Sequence, residues 1–219
     1  SPRTLTNAVS FYNDVNTTVT LGTDAGAGAL TLSGPVDLRW GGRSVRCNTA
    51  TTINGVSANG YFSAKSGPGT LTLSGWHDWS GGCAIREGLI TLNSATLTNA
   101  GALVPNCTIP SGLAKITVDS ASTVTLTGSS AWLRLGVNGD TSATNQADIS
   151  GKVWLLGDGR IRMSGGGTIA IVNLLSGGEV ALNSIEKEVA DSGFAQFNIN
   201  GGTLRARASS TAFFQGIDE

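Results

Sequence analysis

The chain has 219 residues; Gly, Ser, Thr and Asn supply 94 of them and 31 are Gly, while only 13% are charged, against roughly 25% in globular proteins. Fourteen basic and fifteen acidic residues leave a net charge of −1, which offers no one-signed surface for a salt-dependent grip on nucleic acid. Helical bundles, collagen, disordered chains and membrane-spanning helices are excluded: long Ala/Glu/Lys/Leu runs and Gly at every third position are absent, hydrophobics reach 40%, and no apolar run approaches roughly 20 residues. In chain order, period-2 alternation recurs. Leu30 and Leu32 flank Thr31, and Leu71 and Leu73 flank Thr72. Residues 89–92, 116–118, 124–127 and 197–199 alternate in the same way. Runs of three to six such residues, bounded by Gly, Asn, Ser or Asp, are expected as short half-buried strands.

The strands repeat. Thr31-Leu32-Ser33-Gly34 returns as Thr72-Leu73-Ser74-Gly75, and Asp37 as Asp78, both 41 residues on. Trp40 lies near the repeat position of Trp79, and Gly41-Gly42 maps onto Gly81-Gly82 with small shifts in spacing. Leu71 precedes Leu89 by 18 residues and Leu89 precedes Leu113 by 24, so the unit holds two turns of about 20 residues. Strands this short do not stabilise isolated hairpins. Stacked at about 4.8 Å they form a β-solenoid of about ten turns and on the order of 50 Å. An immunoglobulin-like array fits less well, because the step is too short and a Cys–Trp–Cys spacing is missing. Gly-Gly pairs at 41–42, 81–82, 177–178 and 201–202 suit corners. Asn48, Asn54, Asn93, Asn183 and Asn200 are expected as stacked amides at turns. Residues 137–149 and 184–193 read as polar loop insertions in an otherwise single segment spanning 1–219. The chain lacks an apolar signal-peptide core after Ser1-Pro2-Arg3 and ends at Gly216-Ile217-Asp218-Glu219, so it reads as a piece of something longer.

Gly69-Thr70-Leu71-Thr72-Leu73-Ser74-Gly75, then Gly81-Gly82, then Gly88-Leu89-Ile90-Thr91-Leu92-Asn93 resembles the autotransporter-associated β-strand repeat, also called the passenger-associated transport repeat. Trp79 stands at the pattern's aromatic position, while His77 and Cys83 depart from its usual Asn and Thr. Phe197-Asn198-Ile199-Asn200-Gly201-Gly202-Thr203-Leu204-Arg205-Ala206, followed by Phe213-Phe214-Gln215-Gly216, is similar to a motif of large secreted repeat proteins. The resemblance is specific over 69–104 and 195–217. It implies a right-handed parallel β-helix in an extracellular or bacterial cell-surface passenger.

Chemistry-bearing residues are few. Asp37 and Asp78 occupy equivalent repeat positions two turns apart, and stacking separates them by roughly 9–10 Å, near the upper end of the carboxylate spacing used in glycoside hydrolysis. With His77 they form the candidate catalytic set of a polysaccharide lyase or glycosidase, although Asp is also an ordinary turn residue. Asp140, Asn145 and Asp148 form the candidate Ca²⁺ loop, without EF-hand or nonapeptide-repeat spacing. Trp76 and Trp79 are candidates for stacking on sugar rings or for a hydrophobic patch, the other reading being corner residues that cover the core. Cys47, Cys83 and Cys107 fit neither a CxxC nor a zinc pattern; they are buried thiols, or Cys83 and Cys107 form one disulfide across neighbouring turns. The paired arginines Arg160/Arg162 and Arg205/Arg207 read as strand residues facing water.

The expected function is therefore a non-catalytic structural or adhesive β-helical segment without a cofactor. Its expected partners are further copies of itself or neighbouring segments of the same parent protein, and cell-surface glycans, with no nucleic acid and no membrane span. The alternatives are a glycan-binding module using exposed Trp and a polysaccharide-degrading β-helix enzyme.

Overall fold

The computed structural model describes every residue except 12–17, 23–27, 40–41, 137–139 and 189–192. Trp40 and Gly41, and parts of both expected insertions, lie outside the described residues.

All regular structure among the described residues is β, and no helix there is long and apolar enough to cross a membrane. The strands form three parallel ladders that wind around one core, which makes the chain a parallel β-helix. The first face carries Arg3–Leu5, Leu30–Leu32, the start of Thr51–Ser66, and so on to Phe194–Asn200. The second runs from Val9–Ser10 through Val36–Asp37 to Thr203–Ala206. The third runs from Thr18–Leu21 through Gly42–Cys47 to Phe214–Gln215. Each ladder passes through nine levels among the described residues.

The coil is 19–21 residues long from Thr31 through Thr52 and Thr72 to Thr91, which matches the spacing of the repeat. It then lengthens to 25–31 residues through Thr117, Asp148, Asn173 and Asn198. The extra residues sit in corners such as 106–112 and 119–122, so the strands keep their register while the connections grow. The 41-residue unit is accordingly two coils, and at the corner after the first face the chain folds back closely. Gly75 adopts φ +95° there, and a Cβ on it would lie 2.5 Å from the Gly55 carbonyl oxygen. One level on, Ser94 takes the same left-handed region at φ 53°.

Alternation in sequence becomes columns in space. On the first face Leu32, Ile53, Leu73, Leu92, Val118, Ile149 and Leu174 stack inward, each 0–2% exposed. Outward in the same strands, Thr4, Thr31, Thr52, Thr72, Thr91 and Thr117 stack in register, followed by Asp148, Asn173 and Asn198. Asn198 Nδ2 donates to Asn173 Oδ1 and Asn173 Nδ2 to Asp148 Oδ1, both at 2.7 Å. The amide ladder is therefore on a strand face, where neighbouring levels are in register. At the corners, where it was expected, Asn183 Nδ2 instead donates to the Gly157 carbonyl and Asn48 Oδ1 accepts from Arg46 Nε.

The two expected insertions are corrected in part. Thr144–Ile149 is a first-face strand and Ser184–Lys187 a third-face strand. Ile185 is fully buried between Ile161 and Phe214 of the adjoining levels. The charges around it face outward against opposite charges one or two coils away. Arg162 Nε lies 2.6 Å from Glu186, Arg160 Nη1 3.2 Å from Glu186, and Arg134 Nη2 2.6 Å from Glu188. A segment dense in charge thus joins the ladder because Arg stands opposite Glu across it.

The core columns set a stability expectation. Leu73→Ala removes the middle of the first-face column and should cost about 2–5 kcal/mol, read from urea unfolding of the whole chain; a loss well under that range would show that the column relaxes around the gap.

Candidate functional site

Four residues of one strand show how the site is assembled. In Thr70–Trp79, alternation sends Trp76 and Asp78 outward and His77 and Trp79 inward. The tryptophans expected to act together are three positions apart, hence on opposite sides of the strand. Trp76 is 45% exposed and Trp79 only 1%. Trp79 packs edge-on against Phe62 at 5.4 Å, and Phe62 lies 6.1 Å from Phe11, so the indole belongs to an aromatic core stack.

His77 is fully buried in the column Val36–Ser57–His77–Leu97. Trp79 Nε1 donates to Ser57 Oγ at 3.0 Å, and Ser57 Oγ is hydrogen-bonded to His77 Nδ1 at 2.8 Å. Nε2 has no partner. Burial pushes the imidazole pKa down to about 4, so the ring is neutral and structural. Asp78 projects from the other side of the same strand. Asp37, two levels below it, is bound by Arg39, whose Nε is 2.9 Å away, and accepts from Asn59 Nδ2 at 3.4 Å. Ala58 and Asn59 stand between the two carboxylates at a break in register. His77 is thus sealed away from the outer surface that carries Asp37 and Asp78, which stand two levels apart on it.

The candidate calcium set is also dispersed. Asn145 points inward, fully buried; its Oδ1 accepts from Cys107 N at 2.7 Å and its Nδ2 donates to the Ile169 carbonyl at 3.3 Å. Asp148, three positions on, points outward to Lys115 at 2.5 Å, Gln146 and Asn173. Asp140 caps its own turn by accepting from Ser142 N. Among the described residues no three His, Cys, Asp or Glu side chains gather as a metal site.

All three cysteines are buried free thiols. Cys83 stands in register with Leu103, which leaves Cys107 four residues farther along the strand direction, beyond the roughly 7 Å Cα limit for a disulfide. Burial pushes the Cys83 pKa up to about 12 and raises those of Cys47 and Cys107.

The outer side of the second face carries the exposed tryptophans Trp76 and Trp154. One outward column reads Val56, Trp76, Thr96, Thr123, Lys152, Glu179; the next reads Asp78, Thr98, Thr125, Trp154, Ala181, Arg205. Trp154 is 37% exposed, with Lys152 Nζ 5.9 Å from its ring centre. On the side of Asp78 away from Trp76, toward the corner, the surface dips into an open groove lined by residues including Asn59, Asp78, Ser80, Thr98 and Thr127. By contrast Trp132 on the third face is covered by Arg162 at 5.0 Å and donates from Nε1 to the Asp158 carbonyl. The placing of Trp154 on the face of Trp76, and the threonine pairs between them, escaped the sequence reading. Their signal was present in the inward Val153 and Leu155 that force Trp154 outward.

Over 181 residues the chain is 31% identical to a protein described as Adhesin BmaC autotransporter from Brucella suis biovar 1 (strain 1330); the match covers 75% of this chain and 5% of that protein's length. No protein-family model matches the chain, and no solved structure matches it. The likeness agrees with the resemblance read from residues 69–104 and 195–217 at the coarse level of an autotransporter passenger.

The buried imidazole has a measurable consequence. Unfolded, His77 takes up a proton near its ordinary 6.5; folded, it resists to about 4. The unfolded state thus binds more protons in that window, so stability held above pH 6.5 falls as the pH drops toward 4 and levels off below it, by about 3 kcal/mol at about 1.36 kcal/mol per pH unit. His77→Leu should remove this component from the pH profile of urea unfolding. Parallel profiles for the two proteins between pH 6.5 and 4 would refute it.

Proposed function

We propose that the chain is a β-helical segment of an adhesive, cell-surface passenger that holds and displays its outer faces without turnover. The observation that carries this reading is the set of three in-register ladders, which turn a short repeat into a rod whose side chains stand in fixed outward columns. The likeness to an autotransporter adhesin supports the surface location and the adhesive role. Catalysis is less well supported, because the one imidazole is sealed in the core and Asp37 is held by Arg39. The proposed partners within the assembly are neighbouring β-helical segments of the same parent protein. Their coils would cover Leu5 at one end and Ile199 and Phe214 at the other, all 48–52% exposed.

Beads coated with the folded chain should attach to at least one of a panel of cultured animal cells, plant cells and extracellular matrix several-fold above beads carrying the heat-unfolded chain. Equal attachment of both on every surface would refute the adhesive reading.

A further inference from the structure

We infer that the outer surface of the second face, between Trp76 and Trp154, is a docking surface for a neutral, extended polysaccharide. The inference rests on the adhesive reading and names its ligand. The two indoles lie on one side of one sheet, three levels apart along the rod and two residues apart across it. At about 4.8 Å per level and about 3.3 Å per residue their Cα atoms are about 16 Å apart, the span of a short run of pyranose rings. Thr96 and Thr98, then Thr123 and Thr125, fill the two levels between them.

That sequence of surfaces matches the chemistry of a sugar chain. A pyranose ring has an apolar C–H face, which an indole covers, and a rim of hydroxyls. Threonine hydroxyls each supply one donor and two acceptors to that rim. The groove at Asp78, two residues along the strand from Trp76, adds the Asn59 amide and the Asp78 carboxylate at one end. A protein partner would call for a contiguous apolar centre, whereas rows of hydroxyls divide this surface. A polyanion would call for unbalanced cations. Here Lys152 at one end is offset by Asp78 at the other, and Arg205 is held by Glu179 at 2.8 Å.

Electrophoresis through native gels containing hydroxyethylcellulose, galactomannan or laminarin, with polygalacturonate as the anionic control, tests the assignment. Trp76→Thr and Trp154→Thr extend threonine columns already present at the next level, so both variants keep the fold, checked by circular dichroism and thermal midpoint. The native chain should be retarded by at least one neutral gel. Each single variant should bind about tenfold more weakly, the worth of one aromatic contact of about 1.4 kcal/mol, and the double variant should run unretarded. Retardation in none of the neutral gels, retardation by polygalacturonate alone, or retardation that survives both substitutions would overturn the proposal. The bead assay separates the two readings. Double-variant beads that attach as well as native ones remove the glycan assignment and leave adhesion standing, whereas native beads that attach nowhere remove adhesion itself.

Discussion

Parallel pairing in register between successive coils is the constraint on which the rest of this structure depends. Each side chain stands about 4.8 Å from the one at the same position in the coils before and after it, so a residue is chosen for its column as much as for its own turn. Interior columns fill with Leu, Ile and Val because branched apolar side chains stack without leaving polar groups unpaired. Exterior columns fill with Thr, whose β-branching suits a strand and whose hydroxyl tolerates its own copy as a neighbour. Charge is the component that such stacking penalises, since like charges would face each other at every level. Where charges do occur in density, Arg162 faces Glu186 in direct register and the penalty becomes an attraction.

A uniform stack has a weakness, because one coil fits on the next almost as well after a slip. Polar groups inside the rod distinguish one level from another. The hydrogen-bonded chain Trp79–Ser57–His77 forms only when their two coils are correctly superposed. Asn145 braces the backbone of Cys107 from the next coil. Lys65 is fully buried and donates to the carbonyls of Gly67 and Glu87 at 2.6 and 2.8 Å, and burial lowers its pKa to about 8. A slipped stack would break the cross-coil hydrogen bonds of these desolvated groups, which is costly. Specific stacking is thus supplied by the few positions that break the repeat.

The same geometry shapes what the surface can do. A solenoid does not draw distant residues into a closed pocket; it lines them up along faces. Asp37 and Asp78 stay two coils apart however the chain twists, and Asn145 and Asp148 stay on opposite sides of one strand.

Period-2 alternation and the 41-residue spacing of Thr31-Leu32-Ser33-Gly34 and Thr72-Leu73-Ser74-Gly75 determined the strands, the two-coil unit and the stacked architecture, because those features depend only on which residues alternate and how often. The opposite orientations of Trp76 and Trp79 were legible too, since three residues along a strand reverse the side. Tertiary structure alone decided what lies level with what. The corners lengthen unequally after Thr91, so linear spacing no longer reports which residues meet. Only the coiled chain sets Cys83 under Leu103 rather than near Cys107, makes Ser184–Lys187 a strand by placing arginines opposite its glutamates, and brings Trp154 onto the face that already carried Trp76.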